Sequence, residues 1–250
     1  MNDLLREIDA YKAEIDAFRP LTKHELSQLK EYYRIGLTYA SNAIEGNSLT
    51  ESETKVVIED GITIGGKSLK DHLEAIGHSE AYDLLFNLAK KDSISEKDIL
   101  KLHTILYSHV DASKAGKYRK EQVFISGTEF IPPAPKDVPG EMKKFAAGIP
   151  DLKTSKHPVV FAALLHKELV TVHPFIDGNG RTARLLMNLA LLQAGYVITI
   201  IPPILRGEYI STIRQAQIKQ GYDKPFIEFI AGTVRESQRD YLRLLNALEK

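Results

Sequence analysis

The sequence predicts an all-α fold with one short extended flap, and three observations carry that expectation. Helix-start signals recur: Thr22-Lys23-His24-Glu25 is a capping box, and Thr50-Glu51-Ser52-Glu53 and Ser95-Glu96-Lys97-Asp98 resemble two more. Strands and helices do not alternate, which argues against a doubly wound sheet. A β-favouring triplet next to a glycine turn stands out only between Gln122 and Pro135.

Taken in order, the first capping box opens a helical pattern that runs toward Ile44. Ser68 suits the N-cap of a helix from about Leu69 to Lys90, with Leu73, Ile76, Leu84, Leu85 and Leu88 on its apolar side. Pro158 fits the first turn of a helix reaching about Val172, since its missing N–H costs nothing there. A helix from Arg181 to Ala194 follows, and Pro225 opens a last one toward Leu248. Val123, Phe124 and Ile125, then Ser126-Gly127, then Phe130-Ile131 ahead of Pro132-Pro133, read as a small β-hairpin at about 121–131.

Composition narrows the functional classes. The chain has 250 residues, 43% hydrophobic and 26% charged, which suits one large soluble domain. Lys plus Arg and Asp plus Glu are each 33, so net charge is zero and a general nucleic-acid or anionic-membrane binder is disfavoured. Cysteine is absent, which excludes disulfides, thiolate metal sites and a cysteine nucleophile. The longest apolar run, Val159 to Leu165, is far short of a membrane span, and the first residues lack the apolar core of a signal peptide. The expectation is a soluble cytoplasmic protein with neither nucleic-acid nor membrane partner.

Gly61-Ile62-Thr63-Ile64-Gly65-Gly66-Lys67-Ser68 satisfies G-x-x-x-x-G-K-[ST], but a phosphate loop needs a buried strand feeding it. Here a capped helix, Glu51 to Asp60, precedes it. A tight interhelical loop with Ser68 as N-cap accounts for the same residues.

The chemistry gathers in His173-Pro174-Phe175-Ile176-Asp177-Gly178-Asn179-Gly180-Arg181-Thr182-Ala183-Arg184. Glycines before a helix let the backbone approach a ligand, and the helix N-terminus offers N–H groups and a positive dipole to an anion. Arg181 and Arg184 are three apart and share a helix face, where they suit adjacent phosphates. His173 can accept a proton from a hydroxyl near neutral pH. Asp177 can serve as the single carboxylate that Mg²⁺ needs when a nucleotide supplies the other oxygens, or as a helix N-cap. His72, His78, His103 and His166 read as structural. His166 and His173 are seven apart and miss the spacing of helical zinc ligands.

His173 to Arg184 resembles the signature of the Fic family, HPFx[DE]GNGRxxR, at every defined position. Gly116-Lys117-Tyr118-Arg119 with Val123, Phe124, Ile125, Ser126 and Gly127 is similar to the family's target-binding flap. Ser41-Asn42-Ala43-Ile44-Glu45-Gly46-Asn47 is similar to its inhibitory motif [ST]xxxE[GN]. The resemblance implies a Fic-fold helical bundle: an N-terminal helical region at 1–60 bearing the inhibitory helix Ser41–Asn47, and a core at 61–250. It implies transfer of AMP from ATP, with Mg²⁺, to a Ser, Thr or Tyr hydroxyl of a target protein. In that scheme His173 is the base and Asp177 the metal ligand. Gly178, Asn179, Gly180, Arg181, Thr182 and Arg184 hold the nucleotide, while Tyr209 packs by adenine beside Gln217. Ser41, Glu45, Gly46 and Asn47 form the inhibitory element, Glu45 pairing bidentately with Arg184.

The resemblance also implies possible self-modification and self-association. Three alternatives stay open at this stage: AMP removal, transfer of another phosphate group at the same site, and an idle ATP-responsive binding module.

Overall fold

The computed structural model describes residues 1–125, 128–219 and 221–248. Among them lie α1 (Asn2–Ala17), α2 (Lys23–Ile44), α3 (Glu51–Glu59), α4 (Leu69–Leu88), α5 (Glu96–Asp111), α6 (Val138–Ser155), α7 (Pro158–Val172), α8 (Asn179–Gln193), α9 (Arg206–Ile218) and α10 (Lys224–Leu248). One 3₁₀ turn, Pro203–Leu205, leads into α9. The described residues contain no strand.

The three capping boxes form as read: Thr22, Thr50 and Ser95 each accept from the backbone N–H three residues on. In each, the acidic residue at that third position bonds back to the cap. Ser68 accepts from the Asp71 N–H and caps α4, so the P-loop-like stretch is a loop between α3 and α4. No strand feeds it.

Three helices carried no comparable start signal. Neither α1, α6 nor α9 has a side-chain cap bond, and Pro139, Gly140, Gly148 and Pro150 disguise α6 as a breaker-rich segment. Packing holds them instead: Ile8 of α1, Met142 of α6 and Ile213 of α9 all belong to the main core. That core also takes in Tyr33, Leu37 and Ile44 of α2 along with Leu165, Leu169, Leu185 and Leu189 of α7 and α8. Residues 1–60 therefore share their interior with the rest of the chain.

The segment read as a β-hairpin has neither strand nor ladder bonds among its described residues, and Ser126 and Gly127 lie outside them. Side chains, not strand pairing, tie its two arms. Gln122 Nε2 donates to the Pro132 carbonyl at 3.3 Å and Arg119 Nη2 to that of Pro133 at 2.5 Å. Pro132 and Pro133 have no N–H to give a ladder. Val123 and Ile125 are partly covered, while Phe124 is 79% exposed.

Candidate active site

The site forms where the loop between α7 and α8 meets the C-terminal end of α2. His173 ends α7 in the left-handed region, φ 49° and ψ 58°, and no other described non-glycine residue has a positive φ. Such a conformation costs about 1–3 kcal/mol and persists where its surroundings over-determine it. Arg119, itself buried, supplies part of that restraint. Its Nε donates to the His173 carbonyl at 2.8 Å, and its backbone N–H to that of Pro174 at 2.9 Å.

His173 Nδ1 faces the Val170 carbonyl at 3.3 Å, so Nδ1 carries the proton and Nε2 is left bare. Burial lowers the imidazole pKa, Arg119 adds to the effect, and the ring stays neutral at pH 7.

Gly178, at φ 77°, starts α8 two residues earlier than the arginine pattern suggested. Asn179 explains the difference. Its Oδ1 accepts from the Phe175 N–H and its Nδ2 donates to the Phe175 carbonyl, both at 2.9 Å. The Asn179 side chain thus clamps the loop, and only its backbone N–H is left to face a ligand. Thr182 is likewise engaged internally, its Oγ1 donating to the Gly178 carbonyl at 2.8 Å. Below the loop, the His103 ring stacks on Phe175 at 3.6 Å. Its Nδ1 accepts from the Gly116 N–H, which leaves Nε2 to donate to the Asp177 carbonyl at 3.0 Å. His103 supports the loop, and burial lowers its pKa to about 4.

Both arginines are 2% exposed. Buried guanidinium groups need carboxylate partners, and they find different ones. Arg181 Nη1 lies 2.9 Å from Glu74 Oε1 and donates to Asn42 Oδ1 at 3.3 Å, while Nη2 reaches Asp177 Oδ1 at 3.3 Å. Arg184 Nη2 donates to Glu45 Oε1 at 2.7 Å and to the Ser41 carbonyl at 2.8 Å. Its Nε donates to Ser41 Oγ at 2.9 Å, and Nη1 to the Tyr209 hydroxyl at 3.1 Å.

The Glu45 contact runs through one carboxylate oxygen. The bidentate pairing expected from the sequence does not form, because Nε is turned to Ser41 and Nη1 to Tyr209. Burial pushes the Glu45 carboxyl up, but Arg184 more than offsets it and holds the group below the usual carboxylate range.

Backbone geometry aims Glu45. As the C-cap of α2 it precedes Gly46 at φ 94°, and the Gly46 and Asn47 N–H groups return to the Ala43 and Asn42 carbonyls at 3.0 and 3.1 Å. That is a Schellman ending, which needs a glycine at the left-handed position. Asn47 then donates to Glu74 Oε2 and to the Asp71 carbonyl, both at 3.0 Å, which docks the segment on α4. On the other side, a Cβ at Gly180 would stand 2.3 Å from Glu45 Oε1, so the carboxylate keeps this position only opposite a glycine.

A cavity of about 560 Å³ opens here, lined by Glu45, Ile125, His173, Gly180, Arg184, Tyr209 and Gln217 among others. Its volume suits a nucleotide-sized ligand. Gln217 Nε2 donates to the Val170 carbonyl at 3.2 Å on the cavity wall. Tyr209, expected beside a base, is 1% exposed, and its hydroxyl bridges Arg184 and His166 Nε2, the latter at 2.8 Å. Asp177 and Arg181 lie outside that lining, on the α4 side, where Lys70 Nζ stands 3.4 Å from Asp177 Oδ2. The one described site residue on the flap that reaches the cavity is Ile125.

Sequence reasoning missed Glu74 and Lys70, whose partners in the site, Arg181 and Asp177, are distant in the chain. A charged Glu74 between Leu73 and Ile76 was the one available sign, since a carboxylate on a buried helix face needs a cation.

The arrangement has close counterparts. A protein adenylyltransferase Fic of Drosophila willistoni is 38% identical over 240 residues, 95% of this chain and 47% of that protein. This chain therefore spans about half the length of the curated relatives it matches. Fic-1 of C. elegans (residues 134–508) superposes with a TM-score of 0.86 at 32% identity, over 99% of this chain and 72% of that one. A Fic-domain signalling protein of Bacteroides thetaiotaomicron gives 0.88 at 26% identity, over 96% and 97%. The sequence profile of the Fic/DOC family matches residues 93–191, which run from before α5 to within α8 and include the whole His173-to-Arg184 loop. With that signature, this fold and relatives on this scale, the chain belongs to the Fic/DOC family.

Proposed function

We propose that this chain is a protein adenylyltransferase held back by Glu45. It transfers AMP from ATP to a Ser, Thr or Tyr hydroxyl of a target protein. The observation that carries the reading is the 2.7 Å contact between Glu45 and Arg184 inside the cavity that also holds the neutral His173. The curated name of the Drosophila willistoni relative supports the reaction.

In this reaction the hydroxyl oxygen attacks the α-phosphorus, its proton passes to His173 Nε2, and the bond to the β-phosphate breaks to release pyrophosphate. His173 suits the task because its Nδ1 proton is held by Val170 and the ring is neutral at working pH. The N–H groups at the start of α8 and the guanidinium of Arg181 hold the α- and β-phosphates, and Arg184 receives the γ-phosphate once Glu45 leaves. Gln217 and the wall around Tyr209 border the base and ribose.

Asp177 suits a divalent ion that arrives with the nucleotide. One of its oxygens accepts from the Gly178 N–H at 2.6 Å, and among the described residues the other is approached by Lys70 alone. No group of three or more His, Cys, Asp or Glu side chains able to hold a metal occurs among the described residues, so one hard oxygen ligand fits Mg²⁺ with phosphate oxygens as the rest. Such an ion would supply charge neutralisation at the phosphates.

The finer parts of the reading follow from the same scheme. Residues 1–60 act as an inhibitory region built onto the core at 61–250. The flap, with Val123, Phe124 and Ile125, receives an extended target segment by strand addition. Self-modification, self-association and a cytoplasmic location complete it; no described helix is long and apolar enough to cross a membrane.

Labelling with α-³²P ATP and a divalent ion tests the proposal. Glu45→Gly is expected to raise incorporation into protein, and His173→Ala added to it to abolish incorporation. A Glu45→Gly protein that binds ATP yet transfers no label to itself or to any lysate protein would overturn the reading.

A further inference from the structure

Lys70, beside Asp177, is a cation with no part in the reaction above. It sits in the first turn of α4, where the helix dipole disfavours a positive charge, so local helix preference does not account for it. Its Nζ lies 3.4 Å from Asp177 Oδ2 and 3.5 Å from Glu74 Oε1. Glu74 is buried and already pairs with Arg181 at 2.9 Å, with Asn47 on its other oxygen at 3.0 Å. Asp177 Oδ1 is similarly taken, by the Gly178 N–H at 2.6 Å and by Arg181 Nη2 at 3.3 Å. A divalent ion approaching Asp177 therefore has Oδ2 to bind, and Lys70 is the group found there.

We propose that Lys70 is a tethered cation that shares Asp177 with the divalent ion. It competes with the metal for Oδ2 and, where no metal is bound, stands in for it against the nucleotide's phosphates. Both contacts are longer than a tight charge-assisted bond, and the side chain is 57% exposed. Lys70 can thus retreat along its flexible stem without breaking a buried pair. An ordinary exposed ion pair would be worth little and would do nothing to a ligand. What separates Lys70 from that case is its place on the single free oxygen of the carboxylate that faces the phosphates. Repulsion between a unit charge and a divalent ion at such range, screened by the open solvent side, corresponds to about a three- to tenfold change in affinity.

The inference rests on the nucleotide-binding reading above, and one experiment separates the two. In the Glu45→Gly protein, a β,γ-imido ATP analogue is titrated in EDTA, and Mn²⁺ binding to the protein–analogue complex is followed by electron paramagnetic resonance. Lys70→Gln is expected to tighten Mn²⁺ about three- to tenfold and to weaken metal-free analogue binding by a similar factor. Lys70→Arg, which keeps the charge, should leave both near the parent values. If Lys70→Gln changes neither affinity, Lys70 is a surface ion pair and the inference is overturned. Equal weakening of analogue binding with and without Mn²⁺, at unchanged Mn²⁺ affinity, makes it a plain phosphate ligand and also overturns the sharing. If the Glu45→Gly protein binds no analogue under any condition, the nucleotide-binding reading falls and takes the inference with it.

Discussion

Tyr209→Phe removes one oxygen from the best-enclosed polar contact of the site. The hydroxyl accepts from Arg184 Nη1 at 3.1 Å, which leaves its own proton for His166 Nε2 at 2.8 Å, and the residue is 1% exposed. Phenylalanine keeps the ring and leaves an arginine N–H and an imidazole nitrogen facing carbon. Each buried polar group left unpaired costs about 1–3 kcal/mol, the charged one nearer the top of that range, so a loss of about 3 kcal/mol is expected. For a chain of this size that lowers the melting temperature by about 6–12 °C. Thermal unfolding of the two proteins measures it directly. The same hydroxyl orients Arg184, so in a Glu45→Gly background the substitution should weaken ATP, which has a γ-phosphate, about tenfold more than ADP. A melting temperature within 1 °C of the parent would refute the hydrogen-bond account. ATP and ADP weakened alike would return Tyr209 to the base-packing role that the sequence suggested.

Gly180→Ala places a methyl group 2.3 Å from Glu45 Oε1 and 3.2 Å from Arg184 Nη1. Glu45 is the end of a half-exposed side chain and yields first, so labelling by α-³²P ATP is expected to rise above the parent level while staying below Glu45→Gly; no rise would count against Glu45 as the restraint. Acid should destabilise the fold well before carboxylates titrate in bulk. Burial lowers His78 to about 3, His103 to about 4 and His166 well below its ordinary value, with Arg184 adding to the effect at His78 and His166. Below pH 6.5 the unfolded chain takes up protons that the folded one refuses, so unfolding free energy falls with falling pH. Each group contributes about 1.4 kcal/mol per pH unit until its folded pKa is reached. Urea unfolding between pH 7 and 5 checks this, and a stability that stays flat across that window contradicts the burial of these rings.

Legibility of the sequence followed the range of the forces involved. The capping boxes at Thr22, Thr50 and Ser95 and the cap at Ser68 were readable because donor and acceptor are three residues apart. Helix α6 was not, because Pro150 and two glycines are tolerated only through burial of Val138, Met142, Phe145 and Ile149. The loop from His173 to Arg184 was readable as a block, yet the duties inside it were not. Asn179 and Thr182 look like ligand groups on paper and turn out to bond the loop's own backbone, a choice set by angles that spacing does not encode. Glu74 and Lys70 reach Arg181 and Asp177 across 107 residues in each case, and only tertiary packing brings them there.

The two arginines differ in a way that bears on which one a ligand can claim. Arg181 has its carboxylate within the core: Glu74 is 6% exposed, hydrogen-bonded to Asn47, and cannot withdraw without leaving a buried charge unpaired. Arg184 is equally buried, but its only carboxylate partner among the described residues is Glu45, half-exposed at the edge of an open cavity. The rest of its hydrogen bonds come from Ser41 and Tyr209, which are neutral. Those neutral bonds fix the guanidinium in place whether or not the acid is present, so Arg184 keeps its aim when Glu45 leaves. A buried cation that is rigidly held yet paired with a movable acid favours any anion that can replace that acid. The same stretch of α2 supplies both the fixed part, through Ser41, and the movable part, through Glu45. Removing the carboxylate and removing the helix end are therefore different perturbations: the first opens the cation to a phosphate, and the second dismantles the site that would receive it.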